Sequence, residues 1–316
     1  MRTQRLLLTT VVILLVASPA LAHVPTFPED NSTPSRAIEV SDPVKSWSFY
    51  DSLDGAQVKY YRATLQPGER LYVGAFTPEE GPFTPSLVVM SPALEPSGSV
   101  PDGVTVPDSM AAVVIPGDRP VAPSYEPFAP SANYHTASFR HEVDEQRPYL
   151  LAVYEPANRL GQVGVTVGYE ESFSPTEYLT VPLDLVRVHL WEGQSPLLVL
   201  GPFLLTVFAG LAFVQRTWEE SWGANPVRIL SLSAGLLLVG TAVNTAVQMG
   251  LALARTGPTA GALVTTVFIA IPLVGGAWAV RSGLRSEYKL TLRRRLGLAL
   301  TGLLTLLTWG GFILGP

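Results

Sequence analysis

The sequence predicts a jelly-roll-like β-sandwich carried on a four-span α-helical membrane domain. Three observations predict it: short β-rich segments between Pro, Gly, Asp and Ser across residues 23–173, four apolar stretches of helix length after residue 195, and a charge balance that changes sign between the two regions. The chain has 316 residues, enough for two units, and 47% of them are apolar. Residues 23–195 hold 23 Asp and Glu against 10 Lys and Arg, whereas residues 196–316 hold 3 against 9. An acidic exported region excludes nucleic acid as its partner. There is no cysteine, which rules out disulfides, thiolate metal sites, cysteine nucleophiles and thioether lipid anchors. The first domain must therefore be held by its own core.

Residues 1–22 read as a signal peptide. Arg2 and Arg5 form a positive start, residues 6–16 are apolar, and Ala20-Leu21-Ala22 fits the small-residue cleavage pattern. The alternative is an uncleaved anchor, but Pro19 would break its helix and only 17 residues separate Arg5 from His23.

In residues 23–173, strands are expected at 57–65, 70–76, 86–90, 111–115, 148–154 and 162–169, where β-branched and aromatic residues cluster or alternate. No helical period intervenes, so the arrangement expected is an antiparallel sandwich. "LQPGERL" is a turn, since Pro67 fixes φ and Gly68 accepts φ > 0. Residues 77–130 contain 12 prolines, which cannot donate to a sheet, so most of that span should be ordered loop. It could form a binding surface or merely cover a sheet edge.

The run "VKYYRATLQPGERLYVGAF…PSLVVMSP", followed by "RPYLLAVYEP…GQVGVTVGY", resembles the pre-peptidase C-terminal type of β-sandwich found on secreted bacterial and archaeal proteins. The resemblance covers about half of the region and implies an accessory or binding module rather than a catalyst. Ser86 stands where that family often has an acid, so a calcium site is not carried over.

Residues 174–195 link the two domains. Ser174, Pro175 and Glu177 form a capping box with proline at the first helical position. Leu183, Val186 and Leu190 then share a face, with His189 and Trp191 near the bilayer boundary, which reads as an interfacial helix.

Residues 196–316 form the membrane domain, with spans expected at 197–215, 229–254, 261–280 and 296–314. Arg216, Arg228, Arg281, Arg285, Lys289 and Arg293 to Arg295 fall in two connections, whereas the third holds only Arg255. The positive-inside rule then puts the sandwich outside and residues 281–296 in the cytoplasm of a plasma-membrane protein. Thr241, Asn244 and Gln248 line one helix face, and Thr301, Thr305 and Thr308 another. Such stripes join helices or line a path, and without an intramembrane acid, base or histidine the joining role is expected. The basic run 281–296 is read mainly as the topological determinant, with anionic lipid binding the alternative.

Catalytic fingerprints are missing: there is no G-x-S-x-G elbow, Walker loop or G-x-G-x-x-G, and "HEVDE" lacks the second histidine of a zinc helix. The "NST" sequon makes Asn31 a candidate surface glycosylation site. Cleavage after Ala22 would leave His23 at the amino terminus, offering an amine and an imidazole to Cu(II), and His135 or His141 could supply a third nitrogen. Six residues apart, the latter two share a face if "HTASFRH" is a continuous strand. The pattern resembles the N-terminal histidine of periplasmic copper carriers and copper monooxygenases; the alternative is a polar terminus and two surface histidines. The reading expected first is a membrane-anchored binding or envelope-structural protein, partnered by membrane lipid and by other membrane or surface proteins. Extracytoplasmic copper binding is the alternative.

Overall fold

The computed structural model describes residues 23–218, 225–285, 291–313 and 315, and the expected leader lies outside them. Among the described residues, eleven strands form two sheets. One runs β1 (Val24–Thr26), β3 (Trp47–Leu53), β11 (Gly161–Val167), β5 (Arg70–Thr77), β9 (Ser131–Glu142), β8 (Ser124–Glu126). The other runs β2 (Ile38–Val40), β4 (Lys59–Leu65), β10 (Arg147–Tyr154), β6 (Ser86–Ser91), β7 (Ala111–Ile115).

All six strands expected from sequence are present, as β4, β5, β6, β7, β10 and β11. The sheets are mixed rather than purely antiparallel, because the short edge strands β1 and β2 lie parallel to β3 and β4. Gly68 takes φ +85° in a turn that carries the chain from one sheet to the other. Leu65, Leu71, Val73, Leu87, Val89, Tyr149, Leu151 and Val165 fill the space between the sheets and are almost fully buried. Each such aliphatic side chain contributes about 1.5–3 kcal/mol on leaving water, enough to hold a disulfide-free domain.

The outer face of the five-stranded sheet is apolar as well. Tyr60, Val88, Met90, Leu150 and Ala152 form a second cluster, capped by Val104, Val106 and Met110 from the proline-rich loop. The Thr105 amide donates to the Tyr60 hydroxyl at 2.8 Å. This part of the loop is the cover of a sheet face.

Five α-helices follow: α1 (Pro175–Trp191), α2 (Pro196–Arg216), α3 (Pro226–Thr256), α4 (Gly261–Gly283) and α5 (Leu292–Leu306). The capping box read from sequence is formed, Ser174 Oγ accepting from the Glu177 amide and Glu177 accepting from the Ser174 amide. Among the described residues, α2, α3 and α4 are long and apolar enough to cross a membrane. Four such helices are not observed, because the stretch 296–314 stops being α-helical at Leu306, about five residues short of the usual ~20-residue crossing. Trp309, Gly311 and Phe312 take positive φ, and the Gly311 amide donates to Thr241 Oγ1 at 2.9 Å instead of continuing a helix.

α3 and α4 meet without side chains between them. A Cβ built on Gly235 would lie 2.8 Å from the Gly276 carbonyl oxygen, and one on Gly276 would lie 2.7 Å from that of Gly235. The Gly275-Gly276 pair thus serves packing. The threonine stripe does not bond across helices as expected, since Thr305 Oγ1 donates to Thr301 O at 2.7 Å and Thr308 to Leu304 O at 3.3 Å.

The sandwich sits on one end of the helices. Tyr125 Oη and Thr265 Oγ1 are 2.7 Å apart, Phe128 packs edge-on against Phe268, and Arg255 donates to Pro78 O at 2.7 Å. At the far end of α3, Arg228 donates to the carbonyl of Arg285. Twenty-seven residues of helix put these two ends about 40 Å apart.

Candidate binding groove

The outer face of the six-stranded sheet is where sandwich and helices meet. Strand alternation sends Ser48, Tyr50, Tyr72, Phe76 and Thr166 to that face while Phe49, Val73, Ala75 and Val165 enter the core. Trp191, the last residue of α1, stands edge-on to Tyr50 at 4.9 Å and to Phe76 at 5.9 Å, and its indole donates to Asp51 O at 2.6 Å. The sequence placed Trp191 at a bilayer boundary. In the fold its ring packs on the outer face of the six-stranded sheet, over Tyr50 and Phe76. Gly164 makes room for the Phe76 ring, because a Cβ there would fall 2.0 Å from it.

His23, Glu126 and His135 line this groove together. His23 enters beside β1 and is hydrogen-bonded through Nδ1 to Ser46 Oγ. Burial, and then the nearby His135, push its imidazole down to about 4, so the ring is neutral at physiological pH. His135 is exposed into the groove and is lowered too, by the desolvating walls. Burial pushes Glu126 up to about 8, against a hydrogen bond from the Phe128 amide and with further help from Glu171 and Glu192. The remaining accessible surface of Glu126 faces the cavity it lines. Tyr50, buried beside Glu126 and Glu192, is raised as well. Burial thus favours two neutral imidazoles and a protonated carboxyl over three charges.

The outer part of the groove is a cavity of about 360 Å³ edged by Arg70 and Arg140. Their guanidinium groups lie over the rings of Tyr169 and Tyr72, at 4.7 and 5.2 Å. The inner part, about 50 Å³, reaches Phe173, Leu185 and Trp309. Below it a further cavity of about 70 Å³ is walled by Phe128, His189, Thr241, Asn244 and Gln248. Gln248 is 2% exposed, and neither amide atom has a protein partner. Asn244 and Gln248 therefore face a space large enough for ordered water, whereas Thr241 meets the Gly311 amide.

His141 does not join this group. β9 has a bulge opposite Ala75/Phe76, so that Ala75 pairs with Ala137 but Phe76 with His135. The extra residue, Thr136, inverts the alternation. His135 points to the groove, whereas Ala137 and Phe139 turn to the core and His141 lies 6.1 Å from the Tyr149 ring, between the sheets. The expectation that His135 and His141 share a face fails on that single residue. Among the described residues, no three His, Asp or Glu side chains form a group that could hold a metal ion.

Asn31 also departs from expectation. It is fully buried, its Nδ2 donating to Tyr60 O at 3.4 Å and its main-chain carbonyl accepting from the Tyr60 amide at 2.8 Å. The folded domain does not present the Asn31 side chain to solvent, although Thr33 of the sequon is exposed. His189 is buried and its Nδ1 is 2.9 Å from Glu192 Oε2. Glu126, Tyr50 and Arg140 were missed from sequence, where each is an ordinary strand residue; only the pairing of β8, β3 and β9 in one sheet brings them together.

The fold and the groove together define a class: a β-sandwich seated on a bundle that contains three helices able to cross a membrane. No family model matches the chain, and no curated protein is similar to it in sequence.

Proposed function

We propose that the chain is a membrane-anchored binding or envelope-structural module whose sandwich stands outside the plasma membrane and whose basic loop, residues 281–296, lies in the cytoplasm. The observation that carries this reading is that the sandwich is fastened at one end of α3 by Arg255 and beside α4 by Thr265, while Arg228, Arg281 and Arg285 gather at the opposite end. Positive charge is retained on the cytoplasmic side. A fourth crossing would be made by α5 together with the irregular segment after it. That path begins beside Trp278 and ends at Trp309, whose indole donates to Tyr178 O at 3.1 Å on the sandwich side. Exposed Leu179, Leu183 and Leu190 on α1 suit contact with the outer interface.

In this reading the groove binds the ligand or partner of the sandwich, as the likeness to accessory β-sandwich modules implies. The test is impermeant thiol labelling of intact cells carrying Ser99→Cys or Ser286→Cys. Label is expected on the first and not on the second; label on the second overturns the topology.

A second reading, extracytoplasmic Cu(II) binding through a processed amino terminus at His23, is favoured by the shared groove of His23 and His135 and by their neutral rings, the form a metal takes. Titration of the processed full-length protein with Cu(II) should give one site lost in His23→Ala and His135→Ala and kept in His141→Ala. Equal affinity in all three variants removes copper from consideration.

A further inference from the structure

At the end of the helices away from the sandwich, Arg281 and Arg285 from the close of α4 and Arg293 and Arg294 from the start of α5 line one cavity of about 510 Å³, with Trp278, Ser282 and Thr291 completing its walls. We propose that this cavity binds the phosphate of an anionic membrane lipid. The inference rests on the helices lying in a bilayer, as proposed above.

A topological determinant needs only a count of positive charges on one side. Gathering Arg281, Arg285 and Arg293 around one space is a different property, with a cost, because like charges repel. Among the described residues, the Arg281, Arg285 and Arg293 side chains make no hydrogen bond or ion pair, and no carboxylate lines the cavity. The guanidinium fork matches phosphate oxygens in pairs, and Ser282 and Thr291 add hydroxyl donors. Thr291 also caps α5, accepting from the Arg294 amide at 3.4 Å, so the positive end of that helix dipole faces the same space.

The site suits a lipid rather than a free phosphate because an acyl path leads away from it. Leu292, Leu296, Leu300, Leu303 and Leu307 recur every three or four residues along α5, and all are exposed. A headgroup in the cavity can lay its chains along that stripe. Gly297 lets the Trp278 ring lie against α5 at the boundary between the two, since a Cβ there would be 2.5 Å from the ring.

The test is native mass spectrometry of the purified full-length protein in a neutral detergent, with phosphatidylglycerol, phosphatidylcholine or inorganic phosphate added. Detergent removes membrane orientation from the experiment, so a wrong topology and a wrong site give different failures. Phosphatidylglycerol should be retained over phosphatidylcholine, with retention falling about fivefold in each of Arg281→Gln, Arg285→Gln and Arg293→Gln. Arg295→Gln, an equal change of charge in the same run but outside the cavity lining, should leave retention unchanged. Melting curves identify any variant that fails to fold, and the remaining single variants decide the matter. Equal retention of the two lipids, an equal loss in Arg295→Gln, or displacement of phosphatidylglycerol by inorganic phosphate at comparable concentration overturns the proposal.

Discussion

Lys45 Nζ stands 2.7 Å from Glu177 Oε1, joining residues 132 apart in sequence across the seam between the sandwich and α1. The same carboxylate closes the cap of α1 by accepting from the Ser174 amide at 2.6 Å. One side chain therefore starts the helix and fixes it to the sheet. Lys45 is almost buried, so removing its partner leaves a poorly solvated cation. Glu177→Gln should loosen α1 by about 1–3 kcal/mol, measured as faster amide exchange in residues 175–181. Desolvation alone would raise this carboxyl, but Lys45 and Ser174 outweigh it and hold it below its ordinary 4.5. The stabilisation is thus present above 4.5 and is lost as pH falls through the lower folded value. Exchange in Glu177→Gln should lack that acid step, and a pH profile equal to the parent's would refute the linkage.

Glu126 works in the opposite sense. A carboxyl pushed up to about 8 keeps its proton in the fold between 4.5 and 8 while the unfolded chain releases it, so stability declines as pH rises through that window. Glu126→Gln should flatten the decline and melt higher than the parent at pH 9, by a few degrees for a gain on the order of 1–3 kcal/mol discounted for the open side of the groove. Indistinguishable melting profiles between pH 5 and 9 would count against a buried Glu126.

His23 sets the acid limit. Its ring stays neutral to about 4 in the fold, whereas the unfolded ring gains a proton below 6.5, so stability falls as pH drops from 6.5 toward 4. His23→Gln should shrink that limb of a melting curve recorded from pH 7 to 4, leaving the share of the other lowered imidazole, His135. A limb of unchanged slope would show that the titrating group is elsewhere.

Residues 23–173 should fold alone into a cooperative β domain, because the central core comes from strands within that span and from Phe83 and Val143 in the loops after β5 and β9. Without α1 they expose Tyr50 and Phe76, and without α4 Phe128, so the fragment should self-associate in sedimentation velocity. A monomer with a clean surface, or a helical spectrum, would contradict the groove.

Gly276→Leu should separate α3 from α4, since even a Cβ would be 2.7 Å from the Gly235 carbonyl oxygen. A loss of about 1–3 kcal/mol in detergent-resisted unfolding is expected from such overpacking. Parental stability would mean that the two helices do not touch there.

By itself the sequence determined the elements whose signals are local. Six strands were legible because β-branched and aromatic residues cluster in them, the Gly68 turn because only φ > 0 suits it, and the start of α1 because a capping box is written within four residues. β3 and β9 were not legible: "WSFYDSL" and "SANYHTASFRHE" mix polar with apolar residues because their outer faces line a groove instead of a core. Tertiary structure alone decided what those residues meet. A bulge of one residue at Thr136 sent His135 to the groove and His141 between the sheets, and burial against Tyr60 hid Asn31. Periodicity reports which way a side chain points only while a strand is regular, and it carries no record of which distant strand, helix or loop will lie opposite.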